Sequence, residues 1–102
     1  MSKREYKLES EYQSHVIDIL RQTFPGCIVL KNDPDYIQGI PDLLLLWNDR
    51  WAALECKRYK KAAIRPNQKY YVDKLNSMSY SSFIYPENEE AVMHELQQTL
   101  RT

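Results

Sequence analysis

The stretch "PDLLLLWNDRWAALECK", Pro41 to Lys57, carries Asp42 at one end of two apolar runs and Glu55 and Lys57 at the other. Burying such charges is costly unless something pairs with them. An ion pair between Lys57 and one of the acids would meet part of the need. A divalent cation would meet more, because hard cations take oxygen ligands from paired carboxylates and from phosphates. With a lysine alongside, the same set suits hydrolysis of a phosphate ester. The cation would act as Lewis acid and water activator, and the ammonium as a directed point charge.

Whether the three groups can meet depends on the hairpin between them. Asn48-Asp49 tolerates the left-handed backbone of a two-residue turn. Paired residue numbers then sum to 97 and Asp42 lies opposite Glu55. If Asp49-Arg50 turns instead, the sum is 99 and Asp42 faces Lys57, with Glu55 diagonal. Side chains alternate with period 2, so both registers put all three groups on one face. A three-residue loop would break the arrangement and place Cys56 opposite Asp42.

The flanking elements follow from periodicity and punctuation. Tyr12, Val16, Ile17, Leu20 and Phe24 recur at helical spacing, which predicts a helix over Ser10–Phe24, capped by Ser10 and stopped by Pro25-Gly26. "CIVLK" is a short strand, and the segment Asn32–Pro41, with Pro34, Gly39 and Pro41, is a loop. After the hairpin, "RYKKAAIRP" is a basic connector, and Asn67 opens a helix to about Met78. "SSFIY" reads as a fourth strand, ended by Pro86, and Glu87–Leu100 as a last helix whose acidic start suits the helix dipole. The order is αβββαβα, an α/β fold with a mixed sheet between helices.

The 102 residues form a single domain, 1–102. Formal net charge is zero, yet seven basic residues lie between Lys57 and Lys74 against one acid, Asp73. Such a stretch can meet polyanions on a neutral protein, although it also suits a solvated surface. Cys27 and Cys56 sit in apolar runs and read as core residues of a reducing compartment. The polar start "MSKREYKLESEYQ" is no signal peptide, and the longest apolar run, Leu43–Trp47, is too short for a membrane span, so a cytoplasmic location is expected. His15 and His94 lack metal-ligand spacing and read as surface residues. Asp33 and Asp35 read as turn residues.

Pro41-Asp42, twelve intervening residues and Glu55-Cys56-Lys57 resemble the PD-(D/E)XK nuclease signature. The surrounding "GIPDLL", "ALECKR", "RPNQKYYVDKL" and "SEYQSHVIDIL" resemble the VRR-NUC branch of that superfamily over roughly Glu9 to Leu100. The resemblance implies a restriction-endonuclease-like αβββαβ core with an added C-terminal helix. It implies Mg2+ or Mn2+ held by Asp42, Glu55, the backbone carbonyl of Cys56 and an acid of the first helix, matched by Glu11. Lys57 would position or help deprotonate the attacking water, and Gln68 matches the glutamine that opens the helix after the ExK strand. Cys56 departs from the commoner aliphatic residue, but its side chain belongs to the opposite face.

The implied activity is metal-dependent cleavage of DNA, selective for branched structures such as a Holliday junction, by a homodimer in a phage or bacterial replication and repair setting. DNA contacts are expected from Arg58, Tyr59, Lys60, Lys61, Arg65 and Lys69, with no small-molecule cofactor beyond the metal and no membrane partner. A sequence-specific restriction-type enzyme is one alternative. An inactive nucleic-acid-binding module on the same fold is another. A purely structural or protein-interaction domain is the third.

Overall fold

In the computed structural model, which describes residues 5–101, the chain folds in the expected order. Met1–Arg4 and Thr102 of the expected domain lie outside the described residues, as does the start of the polar N-terminal stretch. The elements are α1 (Glu9–Thr23), β1 (Ile28–Lys31), β2 (Leu43–Trp47), β3 (Arg50–Cys56), α2 (Pro66–Met78), β4 (Tyr80–Ile84) and α3 (Glu89–Arg101). One sheet has the order β1-β2-β3-β4. The first two pairings are antiparallel, and α2 crosses over to set β4 parallel to β3.

The hairpin takes the two-residue turn. Trp47 pairs with Arg50 and Leu43 with Leu54, so paired numbers sum to 97. Asn48 sits in the left-handed region at φ 56°, which an asparagine tolerates better than a branched residue. This register fixes which side chains share a face. Leu43, Leu45, Ala52, Leu54 and Cys56 are buried on one face, against Tyr12, Val16, Leu20 and Phe24 of α1 and its end and Val92, Leu96 and Leu100 of α3. Asp42, Glu55 and Lys57 alternate with these and belong to the other face, the side on which α2 packs against β3 and β4.

Helix starts differ from the expected ones by one to two residues. The first cap is Leu8, not Ser10, and Leu8 has no side-chain acceptor to offer. Glu11 Oε1 instead reaches back 3.0 Å to the Leu8 N–H, half of the reciprocal arrangement that a serine there would complete. Helix α2 begins the same way: Gln68 Oε1 accepts from the Arg65 N–H at 3.0 Å, and Pro66 occupies the first turn, where its missing N–H is harmless. The last helix begins two residues later than expected. Asn88 is taken up in a tight turn, its Oδ1 accepting from the Tyr85 N–H at 2.8 Å.

Candidate active site

The β2–β3 register brings Asp42 and Glu55 to adjoining strand ends, and the first turn of α2 closes over them. Asp42 Oδ2 accepts the Cys56 N–H at 2.8 Å, which ties the loop residue to the end of β3. Glu55 is 3% exposed and Lys57 5%. Gln68 joins them: its Nε2 donates to Glu55 Oε2 at 3.1 Å, and its Oε1 accepts from Lys57 Nζ at 3.0 Å. Lys57 Nζ also donates to the Ala63 carbonyl at 2.9 Å and lies 3.9 Å from Glu55 Oε2. The glutamine that caps its own helix therefore also holds the lysine and one carboxylate apart at fixed distances. The Cys56 thiol points into the core, opposite these groups.

One atom in this network is left over. Glu55 Oε1 is buried and makes no hydrogen bond. A buried carboxylate oxygen without a partner is costly. Burial, then the neighbouring Asp42 carboxylate, push the Glu55 pKa up to about 8, against the opposing pull of Lys57. The Asp42 N–H also opposes the rise. Asp42 is raised as well, chiefly by burial, and its Cys56 hydrogen bond offsets part of that. A divalent cation would relieve both groups. Among the described residues, no set of three or more His, Cys, Asp or Glu side chains is gathered closely enough to hold a metal unaided. Two carboxylates fit Mg2+ nonetheless, since it retains several waters and shares its ligands with substrate phosphates. The acidic side chains of Asp42 and Glu55 at the cleft offer oxygen and suit a hard cation; Cys56, whose carbonyl the resemblance implied, is not among the residues that border it.

The cleft that these groups open into has a volume of about 440 Å³ and is bordered by Glu9, Arg58, Tyr59 and Arg65 as well. Glu11 is absent from that border; capping Leu8 turns it away from the role the resemblance implied. Glu9, two residues earlier, occupies the rim and is close enough to raise both Asp42 and Glu55. Three residues from an N-cap is the position of a capping acid, so a helix start at Leu8 would have marked Glu11 as engaged.

The basic stretch divides. Arg58 donates to the Tyr6 carbonyl at 3.3 Å and lies over the Tyr59 ring at 4.9 Å, both at the cleft. Lys60 and Lys69 border a neighbouring hollow between the connector, α2 and β4, and Lys69 is paired with Asp73 at 2.8 Å. Lys61 is exposed and borders neither. His15 is not a plain surface residue: its Nε2 lies 3.2 Å from Glu89, with the Tyr6 and Tyr12 rings alongside. Asp33 accepts the Asp35 N–H, as a turn residue should.

A solved structure described as a VRR_NUC domain protein superposes on this chain with a TM-score of 0.66, covering 96% of this chain and 92% of that one at 16% sequence identity. The chain has a VRR-NUC fold. No family model matches its sequence, and no curated protein does. The VRR-NUC fold thus stands on backbone geometry, and the chemistry rests on the residues just described. No helix among the described residues is long and apolar enough to cross a membrane.

Proposed function

We propose that the protein is a metal-dependent endonuclease that hydrolyses DNA phosphodiester bonds, with a preference for branched DNA. The observation that carries this reading is the unpartnered, buried Glu55 Oε1 beside Asp42, clamped by Gln68 and Lys57. A core built only for stability gains nothing from a buried acid set beside a half-buried one. A phosphate-cleaving site needs them.

Asp42, Glu55 and the Cys56 carbonyl would hold Mg2+ or Mn2+, with Glu9, which borders the cleft, as the further acid of α1. A cation there would supply Lewis acidity and acidify water at neutral pH. Lys57 is fixed through Ala63 and Gln68 so that its ammonium borders the cleft, where it can orient a water and offset charge on a phosphate. Arg58 and Arg65 would meet flanking phosphates and Tyr59 an unstacked base, with Lys60, Lys61 and Lys69 extending the track. One chain carries one site, so symmetric incision of a four-way junction calls for a homodimer.

The test is a cleavage panel of four-way junction, flap, nicked and linear duplex with Mg2+ or Mn2+. The reading expects metal-dependent products, branched DNA cut fastest, and losses of at least about 10²-fold for Asp42→Ala, Glu55→Gln and Lys57→Ala. That no set of three ligating side chains is gathered among the described residues gives the binding-module reading its one specific support. DNA retained without product under every metal condition would favour that module.

A further inference from the structure

Across the connector from the cleft lies a second recess. Ser81 of β4 pairs with Ala53 in parallel register, so its side chain belongs to the sheet face that carries Glu55. On that face β4, the flank of α2 and the connector enclose about 480 Å³. The connector forms a ridge between the two. Arg58, Tyr59 and Arg65 border the cleft, whereas Lys60 borders the hollow. Helix α2 divides in the same way, with Gln68 on the cleft and Lys69 on the hollow.

Ser81 is 5% exposed, and its hydroxyl is buried without a hydrogen-bond partner among the described residues. Such a group is costly, and stability alone would favour an alanine there. The other short polar side chains of the hollow are engaged: Ser82 Oγ and Asn88 Nδ2 both donate to the Phe83 carbonyl, at 2.9 and 3.0 Å. Lys60 is placed by its backbone, whose N–H donates to Glu87 Oε2 at 3.3 Å, while its exposed ammonium has no partner among the described residues. Lys69 is held only by its exposed ion pair with Asp73, a kind of contact that contributes little and gives way to another anion.

We propose that this hollow seats a phosphate group, a backbone phosphate of a DNA strand other than the one in the cleft. The Ser81 hydroxyl donates to a phosphate oxygen, and Lys60 and Lys69 offset the charge. Two recesses on either side of one ridge suit strands that part at a branch point, so the seat supplies a preference for branched DNA. That the phosphate belongs to DNA rests on the proposed function; that the hollow takes phosphate does not.

Binding measured in EDTA separates the seat from cleavage. Fluorescence anisotropy with a four-way junction and a linear duplex of matched sequence compares the wild type with Ser81→Ala, Lys60→Ala and the double variant. Each single change should weaken junction binding roughly tenfold, as expected for a contact to a charged group, and linear-duplex binding less. Two groups on one phosphate should couple, so the double variant should lose clearly less than the product of the single losses. Ser81→Ala should meanwhile leave the melting temperature unchanged or raise it, because it deletes an unsatisfied hydroxyl. A merely structural serine would not lose affinity while keeping stability. Lys60 is exposed, so its variant keeps the test decisive even if Ser81→Ala misfolds. Wild-type junction affinity in both single variants overturns the proposal and leaves the hydroxyl to a buried water. Equal losses on the two DNAs overturn the assignment to a parting strand. Inorganic phosphate titrated into the free protein, followed at the Ser81 amide by NMR, covers the other source. Saturation that Ser81→Ala abolishes, with DNA binding unaffected, would assign the seat to free phosphate and overturn the DNA strand. Junction binding that depends on Ser81 and Lys60, in a protein that cuts nothing with any metal, would sink only the nuclease reading.

Discussion

Glu55 is held toward its protonated form by burial and by Asp42, with a pKa of about 8 against an ordinary 4.5. The folded chain therefore keeps a proton that the unfolded chain releases, and metal-free stability should fall as pH rises from about 4.5 to about 8. Asp42 is shifted in the same direction and adds to the fall. Glu55→Gln removes the larger contribution. In EDTA, its melting temperature at pH 8 should exceed that of the wild type, while the two converge near pH 5. For a chain of this size each 1 kcal/mol moves the midpoint by about 4–8 °C, so a gain of about 4 °C or more is expected. Thermal melts across the pH range check this, and a wild-type midpoint that rises from pH 5 to 8 without metal contradicts it. At this scale the sequence was informative where period 2 applies. Asp42, Glu55 and Lys57 share a face in either two-residue register. It was uninformative about Glu9 and Glu11, because helical period says which residues are apolar and not where the first turn begins.

Helix α2 is placed by a close contact as well as by burial. A Cβ on Gly39 would lie 2.7 Å from the Asn67 backbone carbon, and Gly39 has a φ of +89°. The loop leading to Asp42 is thereby pressed against the residue before Gln68. Gly39→Ala should destabilise the protein by roughly 2 kcal/mol, from left-handed strain plus overpacking, and should lower cleavage by displacing Gln68. Urea unfolding and the cleavage panel measure the two effects. Leu8 offers the opposite change. It is 59% exposed and caps α1 without a side-chain acceptor, so Leu8→Ser should stabilise by about 0.5–1 kcal/mol once it completes the arrangement that Glu11 begins. The hairpin turn was legible because Asn48 tolerates left-handed backbone. The Gly39 contact was not, because it joins segments whose approach no local pattern encodes.

Over the whole molecule, alternation and order foretold a mixed sheet with helices on both sides. They did not foretell that the second side would be only half covered. Runs such as "LLLL" look alike whether a helix, another copy or solvent lies against them, and only the crossover by α2 decides which strands it shields. The cationic side chains are likewise one cluster in sequence but divided in space, with Arg58 and Arg65 at the cleft, Lys60 and Lys69 at the neighbouring hollow and Lys61 at neither. Replacing Lys60, Lys61 or Arg65 by Ala should weaken DNA binding across all sequences and lower the salt slope by about one for each side chain that meets a phosphate. Affinity measured over a range of salt concentrations reads this directly.

Calorimetric titration of Mn2+ into the metal-stripped protein at pH 8, where any bound cation must compete with the proton on Glu55, tests the central claim most directly. Saturable binding to the wild type, lost in Glu55→Gln and in Asp42→Ala, is the predicted result. No binding, or binding that both variants retain, would contradict the account.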